Sequence, residues 1–459
     1  MNSAESLGEQ AIALLRDLVR SACVNNGDPD SGQEIRNADV LSRFFAGSGV
    51  VPEIVEPHPG RASLIVRVRG TETGAPSLAL VGHIDVVPAL ASDWSVDPFA
   101  ADVIDDVLFG RGTLDMLYLT ASYAVITREL AVQSQSPNGR RLRGDLIFAA
   151  VADEEAGSRL GVEWLLANRP DLVDADYVLT ESGGVPVGGE AAIGSDSPRV
   201  VSAVTVTVGE KGLARRTLVV HGVPGHGSAP WGSRNAAVIA AEAIGRITRF
   251  APPAVIGDYW PRYVHALGLD ADLGARLVAP NTLLDSLAEL GDLAGYAHAA
   301  THTTVSPNVL RAGDAINVIP GVASVGLDIR QLPGVSAEDI DRYLLEALGE
   351  LAENIEIVDA SYSPANVSEM DTALFEVLSE VIGEAYPGAK ALPIIAAGGS
   401  DARFYRARGR CAYGFSMLSE SWTYGMFRKL IHSNDERIDL PSVRLTVESL
   451  DRVVRRLLG

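Results

Sequence analysis

The chain has 459 residues, too many for one ordinary hydrophobic core, so two or three domains are expected. It is 47% hydrophobic and 21% charged, and its net charge of −21 argues against nucleic acid or an anionic membrane surface as a partner. Two cysteines, Cys23 and Cys411, exclude a disulfide framework; with no basic-then-apolar leader and no apolar run of roughly 18 residues, a cytoplasmic location without a membrane span is expected.

Ile12, Leu14, Leu15, Leu18 and Val19 recur at helical spacing and predict an amphipathic helix over 4–22. A second helix is predicted over 34–46, with Gly47 as its stop. Residues 51–56 and 63–68 read as strands. Leu78-Ala79-Leu80-Val81 is a continuous apolar run, the pattern of a strand covered on both faces, and it delivers Gly82-His83-Ile84-Asp85. Turn-rich sequence over 93–112 leads through Asp115 into a helix over 116–132.

The next apolar run, Leu146 to Ala152, ends in three consecutive acids, Asp153, Glu154 and Glu155. Unpaired anions at the end of a buried strand cost several kcal/mol or more, and a bound cation is the simplest compensation. A helix over 158–168 and a strand over 176–180 follow, the strand ending at Glu181. Strand and helix alternate throughout, which predicts an α/β sheet with mostly parallel strands and helices on both faces. His83, Glu154, Glu155 and Glu181 all fall at carboxyl ends of strands, where open α/β sheets build their sites.

Near residue 200 the pattern changes. Residues 202–208 and 215–221 alternate apolar and polar, as in a sheet with one face covered. A helix over 233–249, a strand over 322–329, a helix from Ser336 to about 353 and a strand over 355–358 complete an α+β unit of ferredoxin-like type. The expected division is a catalytic domain of residues 1–200 and 359–459, with a domain of residues 201–358 inserted. Residues 250–306, rich in proline and aromatics, have no assigned place beyond a short helix over 281–291. After 360 the α/β pattern resumes: helix 370–385, strands 392–396 and 411–415, and a final helix over 441–457.

His83, Asp115, Glu155, Glu181 and His432 are two imidazoles and three carboxylates, a donor set that suits two divalent ions of the zinc type. A carboxylate can bridge metals roughly 3.5–4 Å apart with a hydroxide held between them. Glu154, beside Glu155, is placed to move the proton, and Asp85 is placed to take the other ring N–H of His83. Taken singly, each residue has a bland alternative: Asp115 and Glu181 as helix caps, His83 and His432 as structural histidines, Glu154 and Glu155 as a solvated turn.

Together these stretches resemble the M20 metallopeptidases, which include carboxypeptidases, aminoacylases and succinyl-diaminopimelate desuccinylases. The resemblance rests on Gly82-His83-Ile84-Asp85, Gly110-Arg111-Gly112-Thr113-Leu114-Asp115-Met116, Asp153-Glu154-Glu155-Ala156-Gly157, Glu181, Glu210-Lys211-Gly212, Gly225-His226-Gly227, Asn317-Val318-Ile319-Pro320, Asp328-Ile329-Arg330, Gly399-Ser400-Asp401-Ala402-Arg403 and His432. It implies that Asp115 bridges two ions, zinc first with cobalt or manganese as alternatives, with His83 and Glu181 on one and Glu155 and His432 on the other.

It further implies Glu154 as general base and acid, Asp85 as the acid that orients His83, and the inserted domain as a lid that forms a homodimer. His226 is then lent to the partner's site, and Asn317 and Arg330 hold the substrate carboxylate. The implied reaction is hydrolysis of an amide beside a free carboxylate, in a small peptide or an N-acyl amino acid. The alternative is a non-catalytic member that binds carboxylated ligands. Leu117-Tyr118 stand where relatives usually carry Lys-Gly, and the expectation is an apolar wall beside Asp115. Ser433 replaces a common glycine.

Overall fold

The computed structural model describes residues 6–136, 139, 141–188 and 200–459. Its centre is a large sheet in which the strands Leu146–Val151, Leu78–His83, Tyr177–Thr180 and Cys411–Gly414 lie side by side and parallel. Arg61–Val68 and Glu53–His58 extend one edge antiparallel. On the other side Val201–Glu210 runs antiparallel to Cys411–Gly414, with Lys390–Ala396 parallel to it.

The continuous apolar runs follow from cover on both faces. Leu78, Leu80, Leu146 and Phe148 face a core shared with the helices Leu7–Arg20, Tyr118–Gln135 and Leu440–Leu458. Their neighbours Ala79, Val81, Ile147 and Ala149 face the opposite core, against Val162, Leu165 and Tyr405. With a side-chain period of two, each strand feeds both layers. Among the described residues no helix is long and apolar enough to cross a membrane.

A second sheet has the order Thr304–Ala312, Val322–Arg330, Leu213–His221, Ile355–Ser363, all antiparallel. Helices Ala236–Arg249 and Ala337–Leu348 cover one face through Ala240, Ala243, Ile340 and Leu344. Strand, helix, strand, strand, helix, strand in this order is the ferredoxin-like arrangement expected from sequence. Ser336 and Asp339 close a reciprocal capping box at the start of the second helix.

Two features differ from the sequence reading. Residues 201–210, expected in the inserted domain, lie in the large sheet. The alternating threonines that suggested a solvent face are buried and bonded to backbone: Thr205 Oγ1 accepts from the Val185 N–H at 2.9 Å, and the Thr207 hydroxyl donates to the Ser182 carbonyl. The strand Thr304–Ala312 was missed because Pro307 interrupts it. It is an edge strand with a register shift between Pro307 and Val309, where a missing N–H is tolerated.

The 250–306 segment finds its place here. Its helices Tyr259–Ala266, Ala271–Val278, Pro280–Ser286 and Ala294–Thr301 branch from the small sheet's connectivity, yet Tyr259, Trp260, Tyr263, Leu277 and Tyr296 are buried in the core of the large sheet.

Candidate metal centre

His83 ends its strand buried, with Nδ1 3.0 Å from the Asp85 carbonyl and Nε2 3.2 Å from Asp115 Oδ1. Asp115 sits on a loop whose turn requires Gly112 at φ 85°, where a Cβ would meet Val86 and Leu117. The loop is held from below by Glu436. Its buried carboxylate accepts from Arg111 Nη1 at 2.7 Å and from the backbone N–H groups of Gly112, Leu114 and Asp115 at 3.1, 2.8 and 3.0 Å. Glu436 has no part in the sequence analysis; an acid two residues before an apolar strand residue is the available signal.

Two ligand groups share Asp115. His83, Asp115 and Glu181 offer atoms within 4.8 Å of one another, and so do Asp115, Glu155 and His432. His432 Nε2 lies 3.2 Å from Asp115 Oδ2 and 3.2 Å from Glu155 Oε2. Thus Asp115 offers one oxygen to each histidine.

Asp85 ties this cluster to the acidic turn. Its carboxylate accepts from the N–H groups of Glu154 and Glu155 at 3.3 and 3.2 Å and from Asn25 Nδ2 at 2.8 Å. Asp153, the acid that the sequence reading gave no part, turns the other way in the left-handed region at φ 69°. It accepts from Arg61 at 2.7 Å, from Asn25 at 3.2 Å and from the Leu160 N–H at 2.9 Å. Arg61 also holds Glu34 by a bidentate pair at 2.7 Å on each arm. Asn25, Glu34 and Arg61 were not legible as site residues; they are distant in sequence and carry no motif.

Burial, then the carboxylates of Asp115 and Glu154, push Glu181 well above the usual carboxylate range. Burial, Asp401, Glu155 and Asp115 do the same to Glu154 against the opposing pull of His83. Burial raises Glu155 as well. Burial also opposes ionisation of Asp115, but hydrogen bonds from His432 and His83 hold it far below that range. Hydrogen bonds to Asp115 and Glu155 raise His432 to about 10. Like charges gathered in one desolvated place need a compensating cation. Glu155 Oε1 is buried with no hydrogen-bond partner among the described residues, an atom that an ion would satisfy. The imidazole and carboxylate donor set fits divalent ions of the zinc type.

The lid residues fall elsewhere. His226 and Asn317 are neighbours: Gly225–His226 pairs with Val318–Ile319, and the Gly227 N–H donates to the Asn317 carbonyl at 2.7 Å. Both are exposed, and among the described residues no hydrogen bond or ion pair links His226 to the carboxylate cluster. The Ser228 N–H donates to His226 Nδ1 at 3.2 Å, which places the neutral ring's proton on Nε2. Arg330 ends its strand with Nε 2.7 Å and Nη2 3.3 Å from the two Asp328 oxygens. Leu117 and Tyr118, expected as an apolar wall beside Asp115, are 1% and 3% exposed and pack into the core, with the Tyr118 hydroxyl in the field of the Asp115 and Glu181 carboxylates. The Ser158 hydroxyl donates to Asp401 at 2.6 Å.

The chain matches peptidase family M20/M25/M40 over residues 79–456. It is 24% identical to N-fatty-acyl-amino acid synthase/hydrolase PM20D1 of Xenopus tropicalis, over 97% of this chain and 85% of that protein. It is 32% identical to succinyl-diaminopimelate desuccinylase of Xanthomonas campestris over 46% of this chain, a match that spans about half, 52%, of that relative. Among solved structures, an M20 family metallo-carboxypeptidase from Sulfolobus solfataricus superposes with a TM-score of 0.68 at 17% identity, covering 98% of this chain and 99% of that one. A dinuclear metal-binding M20 peptidase from Bacillus subtilis superposes with a TM-score of 0.59 at 15% identity, covering 98% of each.

Proposed function

The chain belongs to peptidase family M20/M25/M40, a family of metal-dependent hydrolases, and from that premise we propose that it hydrolyses an amide bond beside a free carboxylate. The observation that carries the reading is the pair of three-ligand groups sharing Asp115, with Glu154 next to them and free of hydrogen bonds to its carboxylate among the described residues. In this reading His83, Asp115 and Glu181 hold one divalent ion, and Asp115, Glu155 and His432 hold the second. Bound there, two such ions would polarise the scissile carbonyl and lower the pKa of a water.

Glu154 takes the proton of the attacking water and hands it to the leaving amine, a task suited to a carboxyl that burial raises well above the usual carboxylate range. Asp85 fixes the ring of His83 and the backbone of the Glu154–Glu155 turn at once. Asn317 and Arg330 take the substrate carboxylate, Arg330 exchanging its Asp328 pair for it. The substrate is an N-acyl amino acid or a short peptide, and the relative that aligns along 97% of the chain is named for N-acyl amino acids. The test is a panel of N-acyl amino acids and dipeptides with zinc, cobalt or manganese supplied. Metal-dependent release of an amino acid is expected; no turnover on either class with two ions bound per chain overturns the reading.

Metal binding is expected to release protons. In the ion-free cluster, hydrogen bonds to Asp115 and Glu155 raise His432 to about 10, and those to Asp115 and Asp85 raise His83 well above 6.5 against the effect of burial. His432 is therefore charged at neutral pH and must lose that proton to ligate. Apparent zinc affinity should rise with pH by about tenfold per unit for each proton displaced, and level off once the pH passes the raised pKa values. Calorimetry in buffers of different ionisation enthalpy reads this directly; a pH-independent affinity with no proton release contradicts the ligand assignment.

We also place His226 in the site of a partner subunit, where its Nε2–H stabilises the oxyanion. A mixture of His226→Ala and Glu154→Ala chains should regain part of the activity that each lacks alone. Absence of recovery, with subunit exchange demonstrated, counts against the shared site.

A further inference from the structure

The segment 250–306 does more than fill space against the large sheet. With two stretches that lead to proposed metal ligands, it encloses a cavity of about 800 Å³. One wall is Pro186–Gly188, five residues after Glu181. Another is the helix Tyr424–Leu430, which ends two residues before His432. Leu293 and Tyr296 of the 250–306 segment form the third. Chain geometry alone limits the distance from Lys429 to His432 to roughly 10 Å and from Glu181 to Pro186 to about 18 Å. The cavity is thus a near neighbour of the metal centre.

Its inner end is mostly apolar. Val187, Leu293, Tyr296 and Tyr424 also line a smaller inner space that continues to Tyr263, Leu392 and Ile394. Trp260, Tyr263, Tyr296 and Tyr424 form a ladder of ring contacts with centroids 5.0, 5.4 and 5.5 Å apart, from the core of the segment to the helix before His432. The polar tips along the ladder are largely satisfied: Trp260 Nε1 donates to the Leu277 carbonyl and the Tyr296 hydroxyl accepts from the Ile395 N–H. Ring and aliphatic surface makes up most of the cavity wall, with Asp292 and Thr423 among its polar lining. At its rim stand Arg428 and Lys429, exposed and, among the described residues, without a carboxylate partner. With Asp292 as the one carboxylate in the same lining, the pair leaves the mouth a net positive charge in a chain of net charge −21.

We propose that this cavity binds the acyl side of the substrate and that the 250–306 segment selects long apolar acyl groups. This rests on the amidohydrolase reading above. With the free carboxylate held by the lid and the amide at the metals, the acyl chain must leave the centre by another route. The cavity beyond Glu181 and before His432 is apolar enough to bury it.

The test is calorimetric titration of the metal-loaded full chain with acetate, hexanoate and decanoate. All three present the same head group, so the slope with chain length isolates the cavity. Affinity should rise up to about fourfold per methylene buried. Leu293→Arg and Tyr424→Arg, each at a half-buried wall position and each checked for fold by circular dichroism, should flatten the slope. In turnover, the kcat/KM ratio of N-decanoyl to N-acetyl amino acid should exceed about tenfold in the native chain and fall toward one in both variants. Decanoate binding no tighter than acetate, or a slope unchanged in both variants, overturns the proposal. Hydrolysis of N-acetyl amino acids with no chain-length slope leaves the amidohydrolase reading standing and removes only the acyl cavity. A slope lost in the variants, in a chain that hydrolyses no N-acyl amino acid, keeps the cavity as a site for apolar carboxylates and removes the reaction.

Discussion

Glu154→Gln is expected to lower kcat by about two to four orders of magnitude while leaving fold and metal content intact. Only the Glu154 backbone is engaged, its N–H by Asp85 and its carbonyl by the Gly157 N–H, and both bonds survive the substitution. Its carboxylate makes no hydrogen bond among the described residues, so no buried partner is left unsatisfied. Its neighbours Asp401, Glu155 and Asp115 push its pKa upward, so removing its charge relieves repulsion rather than breaking a pair. Glutamine keeps the volume and cannot accept or return a proton. The measurement is kcat beside zinc content by elemental analysis and a denaturation midpoint. A variant that turns over within a few-fold of the native chain, with zinc retained, shows that another group moves the proton. A variant that has lost its zinc shows that Glu154 is a ligand.

The cluster was legible in sequence because strand ends and acids are local signals. His83, Glu155 and Glu181 each close an apolar run, and the period of two placed those runs in one sheet. What supports the ligands was not legible, because it is assembled from distant segments. Arg61 bridges Glu34 and Asp153 across 27 and 92 residues, and Glu436 reaches back 321 residues to the Asp115 N–H. A buried charge pair leaves no periodicity.

The misreadings have a similar origin. Threonine alternation in 202–208 mimicked a half-exposed strand because backbone partners, invisible in sequence, satisfy those hydroxyls. Leu117 and Tyr118 were read as lining because they follow Asp115. The helix that starts at Tyr118 instead buries both side chains in the core, with the Tyr118 hydroxyl still within the field of the Asp115 and Glu181 carboxylates. The helices of 250–306 were mostly missed because they are short and their aromatic side is buried against a sheet formed by other parts of the chain.

Glu436→Ala should damage stability and metal affinity together, and the two can be separated. The side chain is fully buried and accepts four hydrogen bonds, one from Arg111 and three from the backbone that leads to Asp115. Burial and the Asp115 carboxylate raise its pKa, opposed by Arg111 and by the Leu114 and Asp115 N–H groups. Removing it strands the Arg111 guanidinium, which keeps only the Ser433 carbonyl at 3.1 Å, longer contacts to Pro88 and His432, and the Trp94 ring at 5.1 Å. Breaking a buried pair from one side costs about 3–5 kcal/mol. Urea unfolding of metal-free protein measures that loss without the contribution of bound ions.

The same loop carries the carboxylate shared by both ligand groups, so zinc affinity should fall by about 10- to 100-fold in a competition with a chelator. Glu436→Gln refines the point. Its amide oxygen can still accept from two of the four donors, but its NH2 group then faces N–H groups, so an intermediate loss is expected in both measurements. Stability lost with zinc affinity unchanged would show that the Gly112–Asp115 loop holds its shape without Glu436, and that the carboxylate supports the fold alone.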